Sequence, residues 1–135
     1  MSRAPARPGG SPPPVDVAFA GARVPLIPLA EEVARRHLER HPDDVERYGE
    51  LAWDWCVHDM RHVLSWALSE PAGILDMSQQ VGWLARVLEA REYPLVNLAD
   101  CLDEAARVVE ARVEDGGGVA ARLREVAADV RPAAA

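Results

Sequence analysis

The stretch Trp53-Asp54-Trp55-Cys56-Val57-His58-Asp59-Met60-Arg61-His62 gathers the side chains best able to do chemistry. His58 and His62 stand four apart with Asp59 between them, and on a helix residues four apart share a face. Two imidazoles presented together, with a carboxylate as base, are the working parts of a zinc hydrolase. The helical phase argues against that reading. At about 100° per residue, Tyr48, Trp55, Asp59 and Trp66 project within roughly 40° of one another. His58 and Arg61 turn toward the polar side, and His62 sits at the border. The pair therefore reads as a solvated shoulder. The second pair, His37 and His41, does not complete a four-histidine site if the first two helices are straight and antiparallel. His58 then lies roughly 24 Å along the second helix from Pro42, and His37 about 6 Å back along the first. Ligand bonds of about 2 Å cannot span that difference. No metal ligand and no catalytic residue is assigned, and a metal-dependent hydrolase using His58 and His62 is the least favoured reading.

Asp59 is more informative. It projects from the middle of an apolar face, where a carboxylate must find a donor or change its pKa. One reading is a core pair with Arg86, Arg91 or a Trp indole N–H. The other is a polar anchor in an aromatic-lined pocket, with Tyr48, Trp55, Asp59, His62 and Trp66 as its candidate ligand-binding residues. Four tryptophans between positions 53 and 83 suit a core as well as a pocket. His37 reads as a satisfied core histidine. Cys56 and Cys101 fall at the margins of apolar stripes and read as reduced core residues, since their spacing is neither CxxC nor a disulfide framework.

Composition narrows the chemistry further. The chain has 135 residues, a formal charge of −7 and 15 basic residues, every one an arginine. The acidic balance disfavours nucleic acid, whose phosphates need a cationic face. Without lysine there is no Schiff base and no phosphate-loop lysine. The few serines never form a Gly-x-Ser-x-Gly elbow. No apolar run approaches the roughly 18 residues of a membrane span, and no signal pattern opens the chain. A cytoplasmic protein is expected.

Helical periodicity runs from Leu26 onward and predicts an all-α fold. Four main helices are expected near 26–41, 43–70, 76–92 and 94–115, with a looser fifth near 119–130. Gly49 is placed to bend the second, Asp76 or Ser78 to cap the third, and Gly116-Gly117-Gly118 to end the fourth. Short connections predict an antiparallel four-helix-type bundle with a fifth C-terminal helix. The domain is expected over 25–131. Residues 1–24, rich in Pro and Gly, read as a disordered tail, and 132–135 as a disordered end. No strand-like alternation competes.

The order of features ERYGELAWDWCVHDMRHVLSWAL, then QQVGWLARVLEAREYPLVNLADCLDEAARVV, carries a family resemblance. From about Leu29 to Val113 the chain resembles the helical module of bacterial cobalamin-dependent regulators and photoreceptors. Cys56 and Asp59, Trp83 through Leu88, and Pro94, Leu98 and Leu102 occupy the matching places. The family's α/β domain with its Asp-x-His-x-x-Gly motif is missing, as is its Trp followed ten residues later by Glu-His. The resemblance implies a shared bundle and a sensing lineage. It brings cobalamin or another tetrapyrrole into view, although the residues themselves call for no cofactor. The expected function is a non-catalytic regulatory or sensory bundle acting through protein contacts, with a homodimer among the options and ligand occupancy as modulator. The alternative is a small pocket protein holding an apolar or tetrapyrrole-like cofactor near Trp55, Asp59 and Trp66.

Overall fold

The computed structural model describes residues 12–133, and they are mostly helical. Six α-helices follow a short hairpin: α1 Leu26–Arg40, α2 Pro42–Tyr48, α3 Leu51–Ser69, α4 Met77–Ala90, α5 Leu95–Arg112 and α6 Gly117–Val130. A single 3₁₀ turn, Glu70–Ala72, closes α3.

The hairpin corrects the expectation of a disordered tail through residue 24. Strand β1, Asp16–Phe19, pairs antiparallel with β2, Ala22–Pro25, placing Val17 opposite Val24 and Phe19 opposite Ala22. Ala20 and Gly21 both take positive φ, 51° and 82°, as a two-residue type I′ connection requires. Val17, Phe19 and Val24 lean on the helical core. The Leu26 N–H donates to the Val15 carbonyl at 2.9 Å, so the hairpin runs into α1 without a break. Ahead of it, the Arg61 guanidinium donates to the carbonyls of Pro13, at 2.7 Å, and Pro14. Four-residue strands are too short to show alternation, and a turn written Ala-Gly lacks the Asn-Gly signature. The part of the tail before residue 12 lies outside the described residues.

The second expected helix is two helices. Gly49 has φ 60° and ψ −135°, a conformation open to glycine and hostile to any residue with a Cβ, and the chain turns there from α2 into α3. The third begins as its sequence suggests, with Asp76 accepting from the Ser78 N–H at 2.8 Å. The last is not loose. Val119, Ala120, Leu123, Val126 and Ala127 are buried, and α5 against α6 is the most extensive helix pair. Their turn is tight enough that a Cβ on Gly116 would stand 2.9 Å from the Val113 carbonyl oxygen.

Helix α5 is central, packing on α6 and α1, while α1 also packs along α3. Charged contacts flank these seams. Buried Glu104 on α5 accepts from Arg40 at 2.6 Å and Arg107 at 3.1 Å. Arg112 reaches Glu32 on α1 at 3.0 Å, and its hydrogen bond leads the influences that hold the Glu32 carboxyl below its ordinary range. Arg131 binds Asp100 and Asp103, each at 2.8 Å.

Candidate functional site

The break at Gly49 swings α2 across the end of α3, and a half-enclosed cavity of about 40 Å³ lies in the angle. Helix α2 supplies Asp44 and Tyr48, α3 supplies Trp55, Cys56, Asp59 and Met60, and α5 supplies Leu98 and Cys101. Ala52 on α3, with Leu88 and Tyr93 from the end of α4 and the turn after it, completes the wall.

Asp44 is the polar centre of this wall. Its carboxylate accepts from the Tyr93 hydroxyl at 2.6 Å and from Asn97 Nδ2 at 2.8 Å, and it lies 2.9 Å from His37 Nε2. Burial pushes the Asp44 carboxyl upward, but the hydrogen bonds from His37, Tyr93 and Asn97 outweigh it and hold the group below its ordinary value. The carboxylate is thus ionised and can only accept, which assigns the proton on the facing His37 nitrogen to Nε2. One side chain on α2 therefore ties down α1, the α4–α5 turn and α5. The sequence signal at this position, a Pro-Asp-Asp start, suits the first turn of a helix and says nothing of these partners.

Aromatic rings frame the opening. Tyr48 lies with its ring centroid 5.3 Å from Trp55 and 6.0 Å from Tyr93. Asp59 is buried at 8% exposure, with His58 Nδ1 3.3 Å from its carboxylate. Arg86 and Arg91, the partners considered for it from sequence, are exposed side chains on and beyond the outer face of α4. Of the five candidate residues, Tyr48, Trp55 and Asp59 meet at the cavity. His62 and Trp66 instead stack on one another, 5.8 Å apart, and do not line it. Asp44, Tyr93 and the two cysteines complete the site without having been expected in it. The cysteines face each other across the wall with their sulfurs 3.9 Å apart, Cys101 buried and Cys56 half-buried. Forty-five residues of separation gave no hint of that contact.

The protonation of the wall follows from its burial. The hydrogen bond to Cys56, together with burial, pushes the Cys101 thiol up. Burial, with Cys101 and Asp44 close by, pushes the Tyr93 phenol up as well. Both groups hold their protons at neutral pH. Among the described residues no group of three or more His, Cys, Asp or Glu side chains is placed to hold a metal ion. His58 and His62 are neighbours, with ring centroids 5.1 Å apart in an edge-on arrangement. At about 10–15 Å³ per water, roughly three water-sized positions fit within the walls, and the cavity opens to solvent beyond them.

No helix among the described residues is long and apolar enough to cross a membrane. Comparison with family models, with curated proteins and with solved structures finds no match to this chain. Fold and site together describe a small helical protein with an acidic, aromatic-rimmed cavity at a helix junction.

Proposed function

We propose that the chain is a non-catalytic sensory or regulatory helical domain in which a small molecule at the cavity changes helix packing and, through it, contact with a protein partner. The observation that carries this reading is the position of Asp44. A ligand that hydrogen-bonds in the cavity competes for the carboxylate that joins α2 to α1, to the α4–α5 turn and to α5. Occupancy and packing are then linked through the same bonds, as a ligand-biased equilibrium requires. The working bundle in this reading is α1, α3, α4 and α5, with α6 as buttress.

The partner is a protein, a second copy of the chain included. Val45, 45% exposed beside Asp44 on α2, and Trp53, 39% exposed on α3, are exposed apolar side chains available to meet it. The net charge of −7 weighs against nucleic acid. A reducing, cytoplasmic setting suits two free thiols in contact. The sensory part of the reading rests on the resemblance in motif order drawn from the sequence. The narrow inner part of the cavity favours a small ligand.

Thermal-shift screening of the purified chain against small metabolites tests this, with Trp55→Ala run beside the wild type. The expected result is at least one compound that raises the wild-type Tm, leaves Trp55→Ala unmoved and alters self-association or partner capture. If every stabilising compound acts equally on both proteins, the cavity is not the sensing site.

A further inference from the structure

The two cysteines are the part of the wall that the ligand reading does not use. Cys56 on α3 and Cys101 on α5 point at one another with Sγ–Sγ 3.9 Å, van der Waals contact for sulfur. A covalent bond of about 2 Å asks the sulfurs to close by roughly 2 Å more, by side-chain rotation together with an approach of the two helices. Helices α3 and α5 each pack chiefly against other elements, α3 on α1 and α5 on α6 and α1. The thiols therefore face each other at a seam that little else clamps. Both line the cavity, but unequally: Cys101 is 4% exposed, while Cys56 is half-buried.

We propose that Cys56 and Cys101 form a reversible dithiol–disulfide site, oxidised by hydrogen peroxide or a peroxide of similar size entering through the cavity. Cys56 reacts first because it is the more accessible sulfur. Its thiolate attacks one peroxide oxygen, the O–O bond breaks, and the leaving hydroxide takes up the proton that Cys56 released, giving a sulfenic acid and one water. Cys101, which held its proton until then, attacks the Cys56 sulfur. The S–S bond forms, the S–O bond breaks, and hydroxide leaves with the Cys101 proton as the second water. Two thiols are oxidised by two electrons and one peroxide is reduced to two waters. A cavity with room for roughly three waters within its walls favours hydrogen peroxide over a bulky disulfide such as oxidised glutathione. The product staples α3 to α5, and a thiol reductant able to reach Cys56 in the open chain restores the pair.

The test uses the full chain, reduced and freed of reductant, treated with excess hydrogen peroxide or with oxidised glutathione. Peroxide is expected to remove both thiols and lower the intact mass by two hydrogens, within one chain, with dithiothreitol reversing the change. Glutathione disulfide is expected to act far more slowly. Closing a loop of about 45 residues should raise Tm by roughly 5–10 °C. Cys101→Ser should stop at the sulfenic acid, trapped by dimedone on Cys56, whereas in Cys56→Ser the Cys101 thiol should survive over the same time. Both thiols surviving peroxide, a wild-type sulfenic acid at Cys56 that never goes on to the disulfide, or a disulfide joining two chains would each overturn the proposal, with oxygen on the three methionines located by peptide mapping. The wild-type thiol count, and its recovery with dithiothreitol, decide the matter even if a variant fails to fold.

Discussion

At the scale of single residues, the two buried carboxylates of the cavity should behave differently. Asp44 serves three donors, so Asp44→Ala takes the buried acceptor from Tyr93 and His37 and one of two from Asn97, which keeps Asp43, and should cost about 1–3 kcal/mol. Asp44→Asn keeps an acceptor oxygen but turns an N–H toward groups that are themselves donors, and should recover only part of the loss. The pH dependence carries a sign. Because the folded carboxyl sits below its ordinary range, folding favours the ionised form. That stability is complete above the unfolded value, near pH 4, and drains away as pH falls further. Glu32 and Asp100 are lowered too, so acid alone does not isolate Asp44. The comparison does: in urea unfolding, the gap between wild type and Asp44→Asn should narrow between pH 7 and pH 3, and a constant gap would remove the network from the account. Asp59, by contrast, borders the cavity with His58 alongside. If it anchors the ligand, Asp59→Ala should cost little in the free protein and abolish the stabilisation by any compound found in the screen. A loss of about 1–3 kcal/mol in both states would make it a core acceptor.

At the scale of elements, the hairpin is the clearest departure from a chain of helices, and it makes a prediction opposite to that for a loose tail. Three side chains, Val17, Phe19 and Val24, pack on the core, and the Leu26 N–H depends on Val15 for its acceptor. Removing residues 1–25 should therefore lower Tm by several degrees, as the loss of about 2–3 kcal/mol of partial burial implies. An unchanged melting curve would show that the hairpin rests on the bundle without stabilising it. The same region shows where sequence reasoning reached and where it stopped. Period and capping located α1, α4 and α5 within a few residues, because Leu26, Leu29 and Val33, or Leu98, Leu102, Ala105 and Val109, repeat on one face. Asp59 was legible as buried for that reason. Gly49 was legible as a weak point, but a periodic pattern carries no sign of a ψ near −135°. That torsion decides that Tyr48 reaches Trp55 from a different helix and that Asp44 faces the cavity at all. Contacts such as Asp44 with Tyr93 or Cys56 with Cys101 join residues 45 or more positions apart, and no local rule encodes them.

At the scale of the whole molecule, the architecture divides into a firm half and a yielding half, and the cavity lies on the boundary. Helix α5 buries Leu98, Ala99, Cys101, Leu102, Ala105, Ala106, Val108 and Val109 between α1 and α6, so exposing its amides means dismantling the core. Helix α2 has seven residues, and Asp44 is its buried one. It is fastened by polar contacts, the carboxylate network and Tyr48 against its ring neighbours, with little apolar area to hold it when those part. Local opening free energy follows the buried contacts that must be lost, so α2 should open well before the molecule unfolds. Hydrogen exchange by mass spectrometry should find the α5 and α6 amides exchanging last, near the global unfolding limit, and those of α2 among the fastest in the helices. A compound bound at the cavity should then slow exchange in α2 selectively, because it ties the mobile wall to the fixed one. Equal protection of α2 and α5 in the free protein would mean that the cavity is rigid, and that a small ligand there has no low-cost motion through which to signal.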